Sequence, residues 1–121
     1  MSSIFEATAG KLIGPTVGGT VTQASNKSTA VELNAASGQI TMNGAALGAG
    51  AEVSFTVTNS EISSTDVVVV NHSSAGTGGA YMAQANVIAD GSFKISVTNL
   101  SSGSESEAIV LSFVALKGAS S

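Results

Sequence analysis

The residues "EVSFTVTN" at 52–59 return forty positions later as "SFKISVTN" at 92–99. In both copies apolar and polar side chains alternate strictly. Val53, Phe55 and Val57 stand against Ser54, Thr56 and Thr58, then Phe93, Ile95 and Val97 against Lys94, Ser96 and Thr98. A period of two belongs to a strand with one face buried and one wet, and it does not fit the 3.6-residue period of a helix. At this offset Ala49 falls on Ala89, Val53 on Phe93, Phe55 on Ile95, Val57 on Val97 and Thr58-Asn59 on Thr98-Asn99. Each unit continues through a Ser-rich turn into an acid-led apolar run, Asp66-Val67 in one and Glu107-Ala108 in the other. The repeat is architectural. It reflects either similar strand-turn-strand demands or two equivalent strand pairs packed with pseudo-symmetry. Asn closes both strands, a residue that hydrogen-bonds nearby backbone and tolerates left-handed geometry.

The same period runs through most of the chain. "TVTQ" at 20–23, "AVELN" at 30–34 and "GQITMN" at 38–43 alternate. "DVVVVN" at 66–71 does not alternate, as expected of a strand covered on both faces. "AYMAQANVIA" at 80–89 is Ala-rich, but Tyr81, Val87 and Ile88 favour strand. "EAIVLSFVALK" at 107–117 is apolar on both faces: Ile109, Leu111, Phe113 and Ala115 on one, Val110, Val114 and Leu116 on the other. Such a strand is expected to be central, with its second face covered by another subunit or by the N-terminal arm. Turn-formers separate these runs, and Asp90-Gly91 is the sharpest hairpin signal. The fold expected is all-β, a β-sandwich or jelly roll of about eight short antiparallel strands. Residues 1–17, broken by Gly10, Gly14 and Pro15, read as an extended N-terminal arm, and 18–121 as the sandwich domain.

A chain of 121 residues has room for one core. Charged residues are 10% of it, against about 25% in an ordinary soluble domain, so 20 Ser and 11 Thr must do the solvating. A surface this neutral is prone to association. The net charge is −4; four scattered lysines and no Arg leave nothing to grip phosphates, which argues against nucleic acid. The longest aliphatic run, "VVVV", is far too short to cross a bilayer. "MSSIFEATAGKLIG" lacks the basic and apolar regions of a secretory signal, so synthesis and retention in a cytoplasm is the expectation. There is no Cys for a disulfide or a thiolate metal site.

Little here resembles catalytic chemistry. His72 is the sole histidine; with Asp66 and a Ser it would make a triad, but no G-x-S-x-G elbow accompanies it, and a histidine at a strand end is the reading. "SSAGTGGA" at 73–80 is Gly-rich without the Lys-Ser/Thr of a phosphate loop. The acids Glu52, Glu61, Asp66, Asp90, Glu105 and Glu107 form no Asp-x-Asp-x-Asp calcium loop. Asn26-Lys27-Ser28 and Asn71-His72-Ser73 match the glycosylation acceptor pattern, which matters only on a secretory route. The expectation is no enzyme, no cofactor and no metal.

Across residues 18–118 the phrases "TVTQASNKSTAVELNAASGQITM", "VSFTVTNSEISSTDVVVVN" and "GSFKISVTNLSSGSESEAIVLSF" resemble a group of small tailed-phage and prophage structural proteins. The resemblance implies a virion protein, a capsid decoration (cement) protein or a β-domain associated with fibres, usually in symmetric oligomers. The short arm favours free-standing decoration of the capsid surface by a homotrimer, its partners being the major capsid protein and copies of itself. On that expectation Ile4, Phe5, Leu12 and Ile13 touch the capsid, and Val110, Val114 and Leu116 touch sister subunits. The alternative is a tail-fibre tip or receptor-binding module that uses loops 71–80 and 100–106. A single Tyr and no Trp count against a glycan-binding version of it. A secreted enzyme or adhesin domain is disfavoured by the missing catalytic set and signal.

Overall fold

The computed structural model describes residues 18–118. Eight strands form among them: β1 (Gly19–Thr22), β2 (Val31–Glu32), β3 (Ser37–Thr41), β4 (Glu52–Thr58), β5 (Val67–Ser74), β6 (Tyr81–Ala89), β7 (Ser92–Asn99) and β8 (Val110–Leu116). They make two four-stranded sheets, ordered β1-β3-β8-β5 and β2-β4-β7-β6, and no helix occurs among the described residues. The all-β sandwich expected from the period of two is what forms. The pairing is mixed, however: β1 pairs with β3 and β2 with β4 in parallel, beside four antiparallel pairings. The reason is connectivity. β2 crosses to the opposite sheet before β3 returns beside β1, and β3 does the same between β2 and β4, so each pair runs in one direction.

The repeat acquires a structural meaning here. β4 and β7 are sheet neighbours, and Phe55 lies directly opposite Ile95, its own repeat equivalent. On either side Val53 faces Val97 and Val57 faces Phe93, so the equivalents exchange places about a local two-fold axis normal to the sheet. Of the two explanations for the repeat, pseudo-symmetric packing is the one realised. The inward side chains of both copies belong to the core. Phe93, Ile95, Val57 and Val97 are fully buried with Ile40 of β3, Leu111 of β8, and Met42 and Ile109 just outside those two strands. Phe93 and Phe113 bridge the two sheets, ring centroids 5.4 Å apart and tilted by 58°. Each such side chain, once sealed, contributes roughly 1.5–3 kcal/mol.

The two asparagines that end the repeats sit at opposite ends of the sandwich, both completely buried. Asn59 donates from Nδ2 to the Ala35 carbonyl (2.7 Å), while its Oδ1 accepts from the Ala35 and Glu61 amides. Asn99 donates to the carbonyls of Leu47 (2.8 Å) and Gly103 (2.9 Å), and its Oδ1 accepts from the Ser101 amide and hydroxyl. Neither takes a left-handed backbone. Their role is hydrogen bonding alone. The Asp90-Gly91 turn does need positive φ, and Gly91 supplies it at 84°.

The two acids that follow the repeats also play matching parts. Asp66 accepts from the Ser63 amide, from Lys117 Nζ at 2.8 Å and from the Gly118 amide, closing the end where residues 18 and 118 emerge. Glu107 accepts from Tyr81 Oη at 2.7 Å and from the Thr77 amide and hydroxyl, closing the other end. The Lys117 hydrogen bond foremost holds the Asp66 carboxyl below its ordinary 3.8. The Tyr81 hydrogen bond foremost holds Glu107 below 4.5. A carboxylate with a depressed folded pKa adds stability above its unfolded value and loses it as pH falls through the folded one. Thermal unfolding followed by circular dichroism should therefore show a falling Tm below about pH 4. The D66N/E107Q double variant should be less stable than the parent at pH 7 and lose less on acidification. An equal acid loss in both would remove these carboxylates from the account.

Candidate functional site

"DVVVVN" was expected to be covered on both faces. Instead β5 is an edge strand of its sheet: Val70 is buried and Val68 half-buried, but Val67 is 56% and Val69 43% exposed. The unbroken apolar run reflects an outward face that is itself greasy. β8 occupies the central position expected of it, between β3 and β5. Its Leu111, Phe113 and Ala115 face the core, while Val110 and Val114 are half-buried and Leu116 is 50% exposed on the other side.

Register brings these outward residues together. Val67 lies opposite Leu116 and Val69 opposite Val114, which makes an apolar quartet on the outer face of the β1-β3-β8-β5 sheet. The rows beyond it are Gln39-Ser112-Asn71 and Thr41-Val110-Ser74. No ionisable group occurs in any of these rows. The outer face of the second sheet differs in kind. Its rows are Glu52-Thr98-Met82, Ser54-Ser96-Gln84 and Thr56-Lys94-Asn86, with the Ser54 and Ser96 hydroxyls 2.8 Å apart and Asn86 donating to Ser96. The second sheet's face is mainly polar, with Met82 and Val87 of β6 exposed on that sheet, whereas the first carries an uncharged apolar patch. Of the three residues expected to meet sister subunits, Val114 and Leu116 fall within this quartet, while Val110 stands two rows away opposite Ser74. Ile4, Phe5, Leu12 and Ile13 lie outside the described residues.

A second feature is an open cleft of about 840 Å³ between the edge strands β5 and β6, lined by His72, Tyr81, Met82, Ser112 and the loop Ala75–Gly79. His72 Nε2 lies 3.0 Å from the Ser74 carbonyl oxygen and 2.6 Å from that of Ala75, so this nitrogen carries the proton and donates. The imidazole meets Tyr81 edge-on at 5.4 Å. Asp66 is bound to Lys117 at the opposite end of β5, so the structure does not bring together the histidine and the acid that a triad would join. Tyr81 is buried, and burial with the Glu107 hydrogen bond raises its phenol far above the ordinary value, so its hydroxyl donates and stays neutral. Among the described residues no three His, Asp or Glu side chains converge on a metal-sized site.

The loop expected at 71–80 is shorter, because 71–74 continue β5 against β8; the remaining loop 75–80 and the loop 100–106 share one end of the sandwich, where the Leu100 amide donates to the Ala80 carbonyl at 2.7 Å and Glu107 ties Thr77 down beside them. Lys27, one of the scattered lysines, is 4% exposed at this end, its ammonium donating to the carbonyls of Asn43 and Glu107. No periodic signal marks a lysine for burial, so sequence reasoning missed it. Val67 and Val69, the half of the quartet not expected from the sequence, were missed for a related reason: four consecutive valines look alike whether the second face is covered by the same chain or by another. No family model, curated protein or solved structure matches this chain.

Proposed function

We propose that this chain is a structural protein of a phage particle, a capsid decoration protein that adheres to the head and stabilises it. Its working surface is the outer face of the β1-β3-β8-β5 sheet together with the apolar residues of segment 1–17. The observation that supports this most is the quartet Val67, Val69, Val114 and Leu116 on a face without charge, opposite a face that is mainly polar. The resemblance of residues 18–118 to tailed-phage structural proteins points to the same use. The mechanism is passive. Apolar surface buried against capsid or sister subunits favours the assembled shell by mass action, because a ligand of the assembled form alone stabilises it. Uncharged Ser, Thr and Asn around the patch avoid the desolvation cost of burying ions. A homotrimer on the capsid surface is the assembly this reading expects.

The test uses purified phage heads. The parent protein should co-sediment with them, and cryo-electron microscopy should place copies over the shell. V69E and L116E change exposed positions, so Tm should stay within about 1–2 °C, as expected of surface substitutions. Head binding should fall at least tenfold. Parent protein that ignores heads at high concentration ends the proposal. Density confined to the tail tip would favour the receptor-binding alternative, for which the neighbouring loops 75–80 and 100–106 offer a joint surface.

A further inference from the structure

Four strands form the edges of the two sheets, and an edge strand presents unpaired main-chain groups to any strand that reaches it. Three of the four are poor templates. β1 has 4 residues and β2 has 2, while β6 bulges between Asn86 and Ala89 and turns Gln84 and Asn86 outward. β5 is different. From Val67 to His72 it keeps unbroken register with β8, and the strand contains no acid, Lys or Pro.

The direction of its main chain follows from β8. The Ala115 amide donates to the Ala36 carbonyl, and the Met42 amide donates to the Ile109 carbonyl, so odd-numbered residues of this stretch address β3. Successive residues of a strand turn their main-chain groups to opposite sides. Val114 and Leu116 therefore address β5, and Val69 and Val67 opposite them address β8. The amides and carbonyls of Val68 and Val70 point the other way, where no described strand lies. The open cleft between β5 and β6 reaches Val70, so the second sheet does not seal this edge.

We infer that β5 pairs antiparallel with β5 of a second copy of this chain, about a two-fold axis through Val68. The edge is its own complement, being neutral, apolar and rich in β-branched residues. The axis is fixed by what meets on the outer face. Centred on Val69 or Val70, the pairing sets a valine against Asn71 of the partner subunit; centred on Val67, it sets Val69 against Thr65 of the partner subunit. Centred on Val68, it sets Val67 against Val69 of the partner subunit and Val69 against Val67 of the partner subunit, cross-strand pairs that stabilise a sheet. The two Val68 residues then exchange main-chain hydrogen bonds at the centre. Both quartets adjoin on the outer face of one continuous sheet, and that face stays open to a further partner. Because the contact is two-fold, it joins one trimer to another where the trimer forms.

Neither test contains phage heads, so edge pairing and head binding can fail separately. In the first, V67C and V69C proteins are mixed in equal amounts, left to exchange subunits under reductant, and oxidised; the parent has no cysteine to interfere. Partners of a non-hydrogen-bonded antiparallel pair have Cα atoms about 4.5 Å apart, within disulfide reach. Two copies of Val67 are offset along the strands to about 8 Å, which is out of reach. The mixed disulfide should exceed either symmetric dimer at least tenfold. Random collision gives only a twofold excess, and that ratio, or no disulfide at all, overturns the inference. The second test is hydrogen exchange of the parent by NMR across a dilution series followed by sedimentation. The Val68 amide should exchange at least tenfold more slowly in the associated form than at high dilution, while Val67 and Val69 stay protected by β8 throughout. A Val68 amide that stays fast while copies associate would assign the contact to the outer faces, and one already slow in a monomer would mean that its own chain covers the edge; both overturn the inference.

Discussion

Replacing Asn99 by Asp is expected to cost about 4 kcal/mol of folding stability, from putting a buried carboxylate without a donor against two carbonyl oxygens, although each keeps a second donor, the Glu105 amide on Leu47 and the Ser101 hydroxyl on Gly103. Asn99 is wholly buried, and its Nδ2 donates to the Leu47 and Gly103 carbonyls. A carboxylate of the same shape offers no donor there, and sets an oxygen against each of those carbonyls. The Oδ1 side survives, since Ser101 still donates from its amide and hydroxyl. The effect therefore holds shape and the accepting side constant and reads the two lost donations together with the burial of a charge. N59D should cost only about half as much, because the Asn59 amide donates to the single Ala35 carbonyl. Protonation of the introduced carboxyl restores a donor, so the N99D deficit should shrink toward pH 4 while that of an alanine variant does not. Urea unfolding of the three proteins at two pH values measures all of this. Equal costs for N99D and N59D would show that the donor count is not what matters.

That prediction starts from letters legible in the sequence. The repeated "VTN" placed an Asn at the end of each alternating run, and the structure uses both as buried clamps on the loops they enter. The strands were legible for a simple reason: a half-buried strand writes its two faces alternately into the chain, and each observed strand lies at least in part on a run read this way or on an apolar run between turn signals, although β5 continues through His72, Ser73 and Ser74, which read as loop. Direction was not legible. Period two is identical for parallel and antiparallel neighbours, so the β1/β3 and β2/β4 pairings follow only from the crossings between sheets.

What covers a strand was not legible either. "VVVV" and "AIVLSFVAL" are apolar on both sides, which composition reads as two-sided burial. The structure seats one side in the core and leaves Val67, Val69 and Leu116 outward. Val87 is another position without a sequence signal. It sits at φ 51° where β6 bulges against β7, a conformation costly for a β-branched residue, and it is 65% exposed.

Lys27→Met is expected to lower stability by about 2 kcal/mol, or roughly 8 °C in Tm, although methionine keeps the apolar stem. The ammonium donates to the carbonyls of Asn43 and Glu107, which joins the turn 23–30 to two loops far along the chain. Gln23, also buried, completes the junction: its Nε2 donates to the Lys27 and Thr29 carbonyls and its Oε1 accepts from the Asn43 amide. Removing the charge orphans two acceptors, and this outweighs the relief of no longer desolvating an ammonium. The pH dependence separates these two contributions. Burial lowers the Lys27 pKa below its ordinary 10.5, against a smaller opposing pull from Glu107. Between the folded pKa and 10.5 the unfolded chain binds more protons than the folded one, so the lysine's contribution to stability rises with pH across that window. Below the folded pKa the charging penalty is fully present. The parent should accordingly gain on K27M as pH climbs toward 10.5, and the stability gap measured at neutral pH should widen. A gap that stays constant would mean the ammonium is effectively hydrated; a methionine variant as stable as the parent at pH 7 would mean that the two carbonyls find other donors and that Lys27 does not hold the loops together.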